Sequence, residues 1–229
     1  MTTASTARPI AFLENHFLQV LCGIFLLVFA WSAIRPIMVE DWWLEQGLVF
    51  LSIGVLIATY RRLTFSDLSY LLFCVFLCMH EFGSHYRYAL DPLGEWMKQF
   101  QSTTRNQYDR VVHYAFGLLI YYPQREMLLR RAGAKPWWAL WLPVAIIAGC
   151  SALYEIIEAV AAAVLSPDAG DAFLALQGDP WDTQKDMFMA LAGAVTAMVL
   201  TAVLVRIRNT KRRAGTKVVE VRDGAPTAG

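Results

Sequence analysis

The sequence predicts an all-α protein, a polytopic transmembrane helical bundle of about six spans with both termini in the cytoplasm. Of its 229 residues, 57% are hydrophobic and only 17% are charged, whereas soluble domains average about 25% charged residues. Six long apolar runs account for this composition, and Lys and Arg cluster on one side of them. Both observations are typical of an integral membrane protein and exclude a soluble globular domain.

The apolar runs cover 17–34, 44–60, 66–82, 110–122, 137–165 and 187–205. A transmembrane helix needs about 20 residues, so the first, second, fifth and sixth runs are long enough. The third and fourth are short or end in polar residues, and we expect their ends to line a space filled by protein or water. The first run lacks a signal-peptide cleavage site, so we expect it to remain as a helix.

The charge distribution predicts the orientation. Of the 20 Lys and Arg residues, 14 lie at the N-terminus or after runs two, four and six, and basic connections stay in the cytoplasm. Of the 19 Asp and Glu residues, 14 lie on the other side or in the half of the membrane that faces it. We therefore predict one transmembrane domain over 1–206 and a basic, disordered cytoplasmic tail over 207–229. The expected partner is the lipid bilayer, with no nucleic acid, and the oligomeric state is open.

Four polar stretches fall at one membrane face. They are Met79-His80-Glu81-Phe82-Gly83-Ser84-His85-Tyr86-Arg87-Tyr88, Tyr108-Asp109-Arg110-Val111-Val112-His113, Tyr154-Glu155-Ile156-Ile157-Glu158 and Gly178-Asp179-Pro180-Trp181-Asp182-Thr183-Gln184-Lys185-Asp186. Ionisable groups inside a bilayer are costly and usually functional. Residues four apart share one face of a helix. We expect seven residues of these stretches to converge in one outward-facing cavity, namely His80, Glu81, His113, Glu155, Glu158, Asp182 and Asp186.

Histidines and carboxylates in one cavity would supply ligands for zinc or a harder divalent metal, together with an acid or base to move protons. The candidate catalytic residues are Glu81, Asp109, Glu155, Glu158, Asp182 and Asp186. The candidate metal ligands are His80, His85 and His113, and the candidate substrate-binding residues are Tyr86, Arg110 and Lys185. No His-Glu-x-x-His or Gly-x-Ser-x-Gly motif is present, so the divalent metal rests on residue types alone.

Simpler interpretations compete with this one. Asp109, Asp182 and Asp186 stand near helix starts, where a carboxylate compensates the helix dipole, and Arg87 and Asp91 are expected to be solvated loop residues. For the whole cluster, three functions stay open. They are an enzyme acting on a lipid or lipid-linked substrate, a small transporter or proton-coupled carrier, and an assembly protein whose polar network is structural.

The four motifs together resemble the YjdF-like family of bacterial inner-membrane proteins, a domain of unknown function. The resemblance rests on His80-Glu81-Phe82-Gly83-x-His85-Tyr86, Asp109-Arg110-x-x-His113, Tyr154-Glu155-x-x-Glu158 and Gly178-Asp179-x-x-Asp182-x-x-x-Asp186. It covers roughly 15–205. It implies a helical membrane fold and an inner-membrane location, and it implies no particular reaction.

The second half is also similar to the wider VanZ-like group, in which an Asp-Lys-x-x-His helix start precedes an acidic helix and an Asp-led last helix. Asp109, His113, Glu155, Asp182 and Asp186 occupy those positions here. Arg110 replaces the usual Lys, Glu158 stands near a usual Gln, and Ala190 stands where Asn is common. This resemblance therefore implies a fold and a location more than a shared activity.

The orientation gives a first testable prediction. Reporter fusions after residues 62, 100, 132 and 175 should read cytoplasmic, external, cytoplasmic and external, because the Lys and Arg residues follow the even-numbered runs. An inverted reading at 100 or 175 would refute the threading and the common face of the four polar stretches.

Overall fold

A computed structural model describes residues 11–101, 104–164 and 177–223, and this part of the chain is all-α. A 3-10 turn at Phe12–Glu14 precedes the first helix. The helices are α1 His16–Ser32, α2 Val39–Tyr60, α3 Asp67–His85, α4 Pro92–Gln101, α5 Tyr108–Arg130, α6 Trp138–Val164 and α7 Asp182–Asp223. The predicted all-α class and the helical membrane bundle are confirmed.

The six long helices follow the six apolar runs. By length and composition, α2, α6 and the Asp182–Lys211 part of α7 can each cross a membrane, and α1 is a shorter apolar helix. The helices α3 and α5 carry the ionisable groups expected at their ends. The number of spans and their orientation stay predictions.

Two segments differ from expectation. A ten-residue helix, α4, lies within the 83–109 segment that the sequence suggested was only a connection. The last helix continues to Asp223, into the part expected to be disordered. Its basic stretch from Arg206 contains no proline before Pro226, so nothing local ends the helix there. The division into a membrane domain and a cytoplasmic tail stays a prediction.

At the end of the bundle that carries Arg61, Arg125 and Arg206, here called the basic end, Glu126 joins α5 to α3. Its carboxylate accepts hydrogen bonds from the backbone N–H of Ser66 at 2.9 Å and from the Ser69 hydroxyl, and it pairs with Arg130. Ser66 in turn caps α3. A buried carboxylate at a helix start is satisfied in this way, and the contact fixes the basic ends of two helices.

The closest helix packing joins α5 to α7, which run parallel. A Cβ added to Gly117 would overlap the carbonyl oxygen of Ala190, and one added to Gly193 would overlap that of Tyr114. Ala194 is fully buried beside this crossing. Small residues let helix backbones approach in a membrane, where packing replaces the hydrophobic effect as the driving force. Helix α5 also packs against α3 and α6, while α1 lies on α3.

This crossing gives a second prediction. Replacing Gly117 or Gly193 by Leu should destabilise the protein by about 1–3 kcal/mol or prevent folding, because the added side chain meets backbone atoms that cannot move away. Thermal unfolding in detergent measures the effect. Gly149→Leu on α6 is the matched control, since a Cβ there meets open space. Equal losses in all three variants would contradict the crossing.

Candidate functional site

An elongated cavity of ≈ 430 Å³ lies between α2, α3, α5 and α6. From the basic end to the middle, its walls are mainly apolar, with Leu56, Phe73 and Ile120 among them. The opposite end, where α5 and α7 begin, is here called the acidic end. There the lining includes the polar residues His80, Tyr88, Asp109, His113, Tyr154 and Glu158. The cavity is thus a long apolar space closed at one end by ionisable groups.

His80 occupies the acidic end with both ring nitrogens engaged. Its Nε2 lies 3.2 Å from the backbone carbonyl oxygen of Glu45, and its Nδ1 lies 2.7 Å from the Tyr88 hydroxyl. Because a carbonyl oxygen only accepts, Nε2 carries the proton and Nδ1 accepts from Tyr88. The carboxylate of Glu45 lies 3.7 Å from Nε2 and accepts a hydrogen bond from Tyr154 at 2.8 Å. These contacts orient the imidazole within the cavity.

Gly83 explains how Tyr88 reaches His80. The chain reverses after α3 through positive φ angles at Arg87 and Tyr88, and the backbone N–H of Tyr88 donates to the Gly83 carbonyl at 2.8 Å. The Tyr88 ring then lies directly on Gly83, where a Cβ would overlap it. The His80–Gly83 spacing in the first motif is therefore a requirement of local geometry.

His113 stands at the centre of a second group. Its Nε2 lies 3.6 Å from Oδ1 of Asp109, one turn earlier on α5, and 3.5 Å from Oε1 of Glu155 on α6. Ligand-capable atoms of Asp109, His113 and Asp186 all lie within 4.8 Å of one another. Three helices thus bring four of the predicted residues together, and a divalent metal could be held here.

Beside this group lies an ion-pair network. Arg110 contacts Asp179 at 2.7 Å, Asp182 at 3.1 Å and Asp186 at 3.9 Å. Arg105 also pairs with Asp182, and Lys185 pairs with Asp179 at 2.6 Å. The Lys185 ammonium beside Asp179 holds the pKa of that carboxyl at about 2. Arg110 and Lys185, proposed from sequence to bind substrate, are thus bound to carboxylates of the protein.

Three predicted residues point away from the cavity, toward α1. Glu81 accepts a hydrogen bond from Ser32, and Nδ1 of His85 lies 2.9 Å from the Ser32 carbonyl oxygen. The rings of His85 and Tyr86 pack against Trp31. These residues were expected to lie with the other polar groups, but they instead fasten α3 to α1. Consecutive residues of a helix point about 100° apart, so Glu81 and His85 face α1 while His80 faces the cavity.

The expectation that Arg87 and Asp91 are solvated is wrong. Arg87 forms an ion pair with Asp41 at 2.6 Å. Asp91 is fully buried and caps α4 by accepting from the N–H groups of Leu93 and Gly94. The loop at the acidic end is therefore built on buried polar contacts.

Sequence reasoning did not identify Glu45 or Arg105, and it included Tyr88 and Tyr154 only as members of the polar stretches. Glu45, Tyr88 and Tyr154 surround His80, and Arg105 pairs with Asp182. Glu45 stands at the start of the second apolar run, where an acidic residue is a weaker signal than Glu155, which lies well inside the fifth run. Arg105 and Tyr88 lie in a connection, where sequence gives no distance to the helices.

Residues 17–207 match the family described as "Predicted membrane protein (DUF2238)". The chain is 36% identical over 164 residues to the inner membrane protein YjdF of Escherichia coli (strain K12). The match covers 70% of this chain and 77% of that protein. The chain belongs to this family.

The resemblance to the YjdF-like family is confirmed, and the protein is a multi-pass protein of the bacterial inner membrane. The matched range includes every candidate site residue from His80 to Asp186. No solved structure matches the chain. The similarity of the second half to the VanZ-like group stays a prediction.

Asp91 gives a third prediction. Burial raises the pKa of its carboxyl to about 6, although the N–H groups of Leu93 and Gly94 act in the opposite direction. Folding favours the protonated form of Asp91. Its contribution to the stability of the folded protein is therefore complete below about pH 4 and is lost as the pH rises through about 6. Asp91→Asn keeps the capping oxygen and does not titrate. The difference in melting temperature, Asp91→Asn minus wild type, should increase by about 2–4 °C from pH 4.5 to pH 7.5, which corresponds to about 1 kcal/mol.

The control is Asp91→Ala, which removes the cap and should melt lower than Asp91→Asn at both pH values. A difference between wild type and Asp91→Asn that does not change with pH would contradict the prediction.

Proposed function

We propose that the protein is a membrane enzyme that acts on a lipid or lipid-linked substrate, with the apolar chain in the cavity and the polar head at the acidic end. The observation that carries this proposal is the position of the ionisable groups. A cavity with apolar walls for most of its length meets His80, Asp109, His113 and Glu158 at one end only. An amphipathic molecule has the same division of polarity.

The dimensions and the opening support an amphipathic ligand. A volume of ≈ 430 Å³ lies within the range of about 300–1,000 Å³ for small-molecule sites. Helices α2 and α6 both line the cavity, yet they are not among the helix pairs that pack along their length in the described part of the chain. A lipid could therefore enter sideways between them from the bilayer.

The head group would meet two kinds of acid–base group. His80 has its tautomer set by the Glu45 carbonyl and accepts from Tyr88, so proton movement can pass through this pair. Glu158 lines the cavity one turn after Tyr154, and none of the ion pairs in the described residues includes it. A carboxylate without a cationic partner is the stronger candidate for general acid or base.

The carrier alternative has less support. A proton relay through a membrane uses ionisable groups along the path, whereas the His, Asp and Glu residues among the described lining residues stand at the acidic end. The polar residues that line the rest are uncharged, namely Ser52, Thr59, Gln124 and Ser151. Glu126, near the other end, is occupied by Ser66, Ser69 and Arg130.

The fourth prediction tests the cavity. In a host strain that lacks the gene, a lipid species should accumulate, and wild-type protein should restore normal levels. Ser52→Trp, which fills the cavity, and Glu158→Gln, which removes the acid–base group, should not. Lipids that co-purify with the protein should fall about tenfold in Ser52→Trp, since filling the cavity costs the burial of a few methylene groups at about 0.8 kcal/mol each.

Ile57→Trp is the matched control on α2, because Ile57 is largely exposed and does not line the cavity. It should restore lipid levels and retain bound lipid. Equal lipid retention by Ser52→Trp and Ile57→Trp, or unchanged lipid levels in the deletion strain, would refute the proposal.

A further inference from the structure

We infer that Asp109, His113 and Asp186, with Glu155, form a binding site for one divalent first-row metal ion, Zn²⁺ or Mn²⁺. This differs from the ligand set expected from sequence, which grouped His113 with His80 and His85. The inference deepens the proposed function, and it rests on that proposal for the role of the ion, which is to bind the head group. The binding of the ion itself rests on geometry alone.

The distances around His113 suit a metal better than hydrogen bonds. Its Nε2 lies 3.6 Å from Oδ1 of Asp109 and 3.5 Å from Oε1 of Glu155, whereas an N–H···O hydrogen bond is about 2.7–3.2 Å. Ligand atoms about 2.1 Å from a tetrahedral zinc lie about 3.4 Å apart. Both oxygens also face the same nitrogen atom, which has at most one hydrogen to donate. An ion beside Nε2 would satisfy that nitrogen and the Asp109 oxygen together with Asp186, whose ligand atoms all lie within 4.8 Å of one another, while Glu155 stands next to this group through its contact with His113.

Two buried carboxylate oxygens beside His113 and Asp109 accept no hydrogen bond, although Oδ1 of Asp186 lies 3.9 Å from Nε of Arg110. Oε1 of Glu155 accepts no hydrogen bond from any described group, nor does Oδ1 of Asp186, and both atoms are inaccessible to solvent. Both residues are at least nine-tenths buried. Buried oxygens of this kind are rarely left without a partner. Asp186 completes the set, with a ligand atom within 4.8 Å of those of Asp109 and His113.

Charge supports the same site. Of the two arginines beside the group, Arg110 lies 3.9 Å from Asp186 but closer to Asp179 and Asp182, and Arg105 pairs with Asp182. Three carboxylates at this depth need more positive charge than the contact between Arg110 and Asp186 supplies. A divalent ion supplies it. One imidazole with two or three carboxylates suits Zn²⁺ or Mn²⁺, since Mg²⁺ and Ca²⁺ prefer oxygen ligands alone.

The fifth prediction is metal stoichiometry. Detergent-purified wild type, equilibrated with Zn²⁺ or Mn²⁺ and freed of excess ion, should hold about one ion per chain by elemental analysis. His113→Ala and Asp186→Asn should bind about tenfold more weakly or not at all. Cobalt substitution gives an independent readout, because a Co²⁺ absorption band from a nitrogen and oxygen ligand set should appear in wild type and vanish in His113→Ala.

The matched controls remove the same chemical groups elsewhere at this end. His85→Ala removes an imidazole that faces α1, and Asp91→Asn removes a buried carboxylate charge while keeping its cap. Both should retain the ion. Size-exclusion profiles and melting temperatures identify variants that fail to fold, and for those Glu155→Gln, measured by the cobalt band, replaces the affected variant.

Wild type with far less than one ion per chain, or His113→Ala with unchanged content, would overturn the metal site. Ser52→Trp separates this result from the proposed function. If Ser52→Trp retains the metal ion but loses bound lipid, the metal site and the lipid cavity are both supported, and they are separate features. Bound lipid in a metal-free wild type would overturn the ion and leave the lipid enzyme standing.

Discussion

The close parallel crossing of α5 and α7 determines where the functional groups of the acidic end can lie. Gly117 and Gly193 allow the two backbones to touch, and this contact fixes both the separation and the register of the helices. In that register the first turns of α5 and α7 stand side by side, so Arg110 reaches Asp182 and Asp186. Helices α6 and α3 then pack on α5 and add Glu155 and His80. A side chain at either glycine would separate the helices that hold the site.

The acidic end contains two groups of carboxylates. Those where α7 begins are paired with Arg and Lys, whereas those nearer the cavity have few cationic partners. Arg105 and Arg110 engage Asp182, and Lys185 engages Asp179, on the side where α7 begins. These pairs hold the helix starts and the preceding connection together. Because Arg105, Arg110 and Lys185 form these ion pairs, the carboxylates nearer the cavity have few positively charged partners. Buried carboxylates without cations must bind protons, a metal or a ligand, and this requirement directs the chemistry toward the cavity.

Much of the bundle could be predicted from sequence because its signals are local. Apolar runs locate the long helices, and embedded carboxylates such as Glu155 identify a polar interior. Helix α4 was missed because it is short and amphipathic, so that its apolar residues at helical spacing form no long apolar run. Only part of the site could be predicted, and the reason is geometric. A spacing of four places His80 with Ser84 and Glu81 with His85, but it does not tell which face meets the cavity and which meets α1.

The polarity of the cavity connects these features. Its apolar walls lie where α2 stands away from α6, and its polar groups lie where Tyr154 of α6 bonds to Glu45 of α2. That hydrogen bond joins the two helices at the acidic end, while α2 and α6 do not pack along the rest of their length in the described part of the chain. A chain entering there would be stopped by the same residues that orient His80 through Glu45 and Tyr88. The contacts at this end of the cavity are therefore also the contacts that hold the imidazole in place, so the proposed amphipathic ligand, with its chain in the apolar part, would bring its polar end to His80 and Glu158.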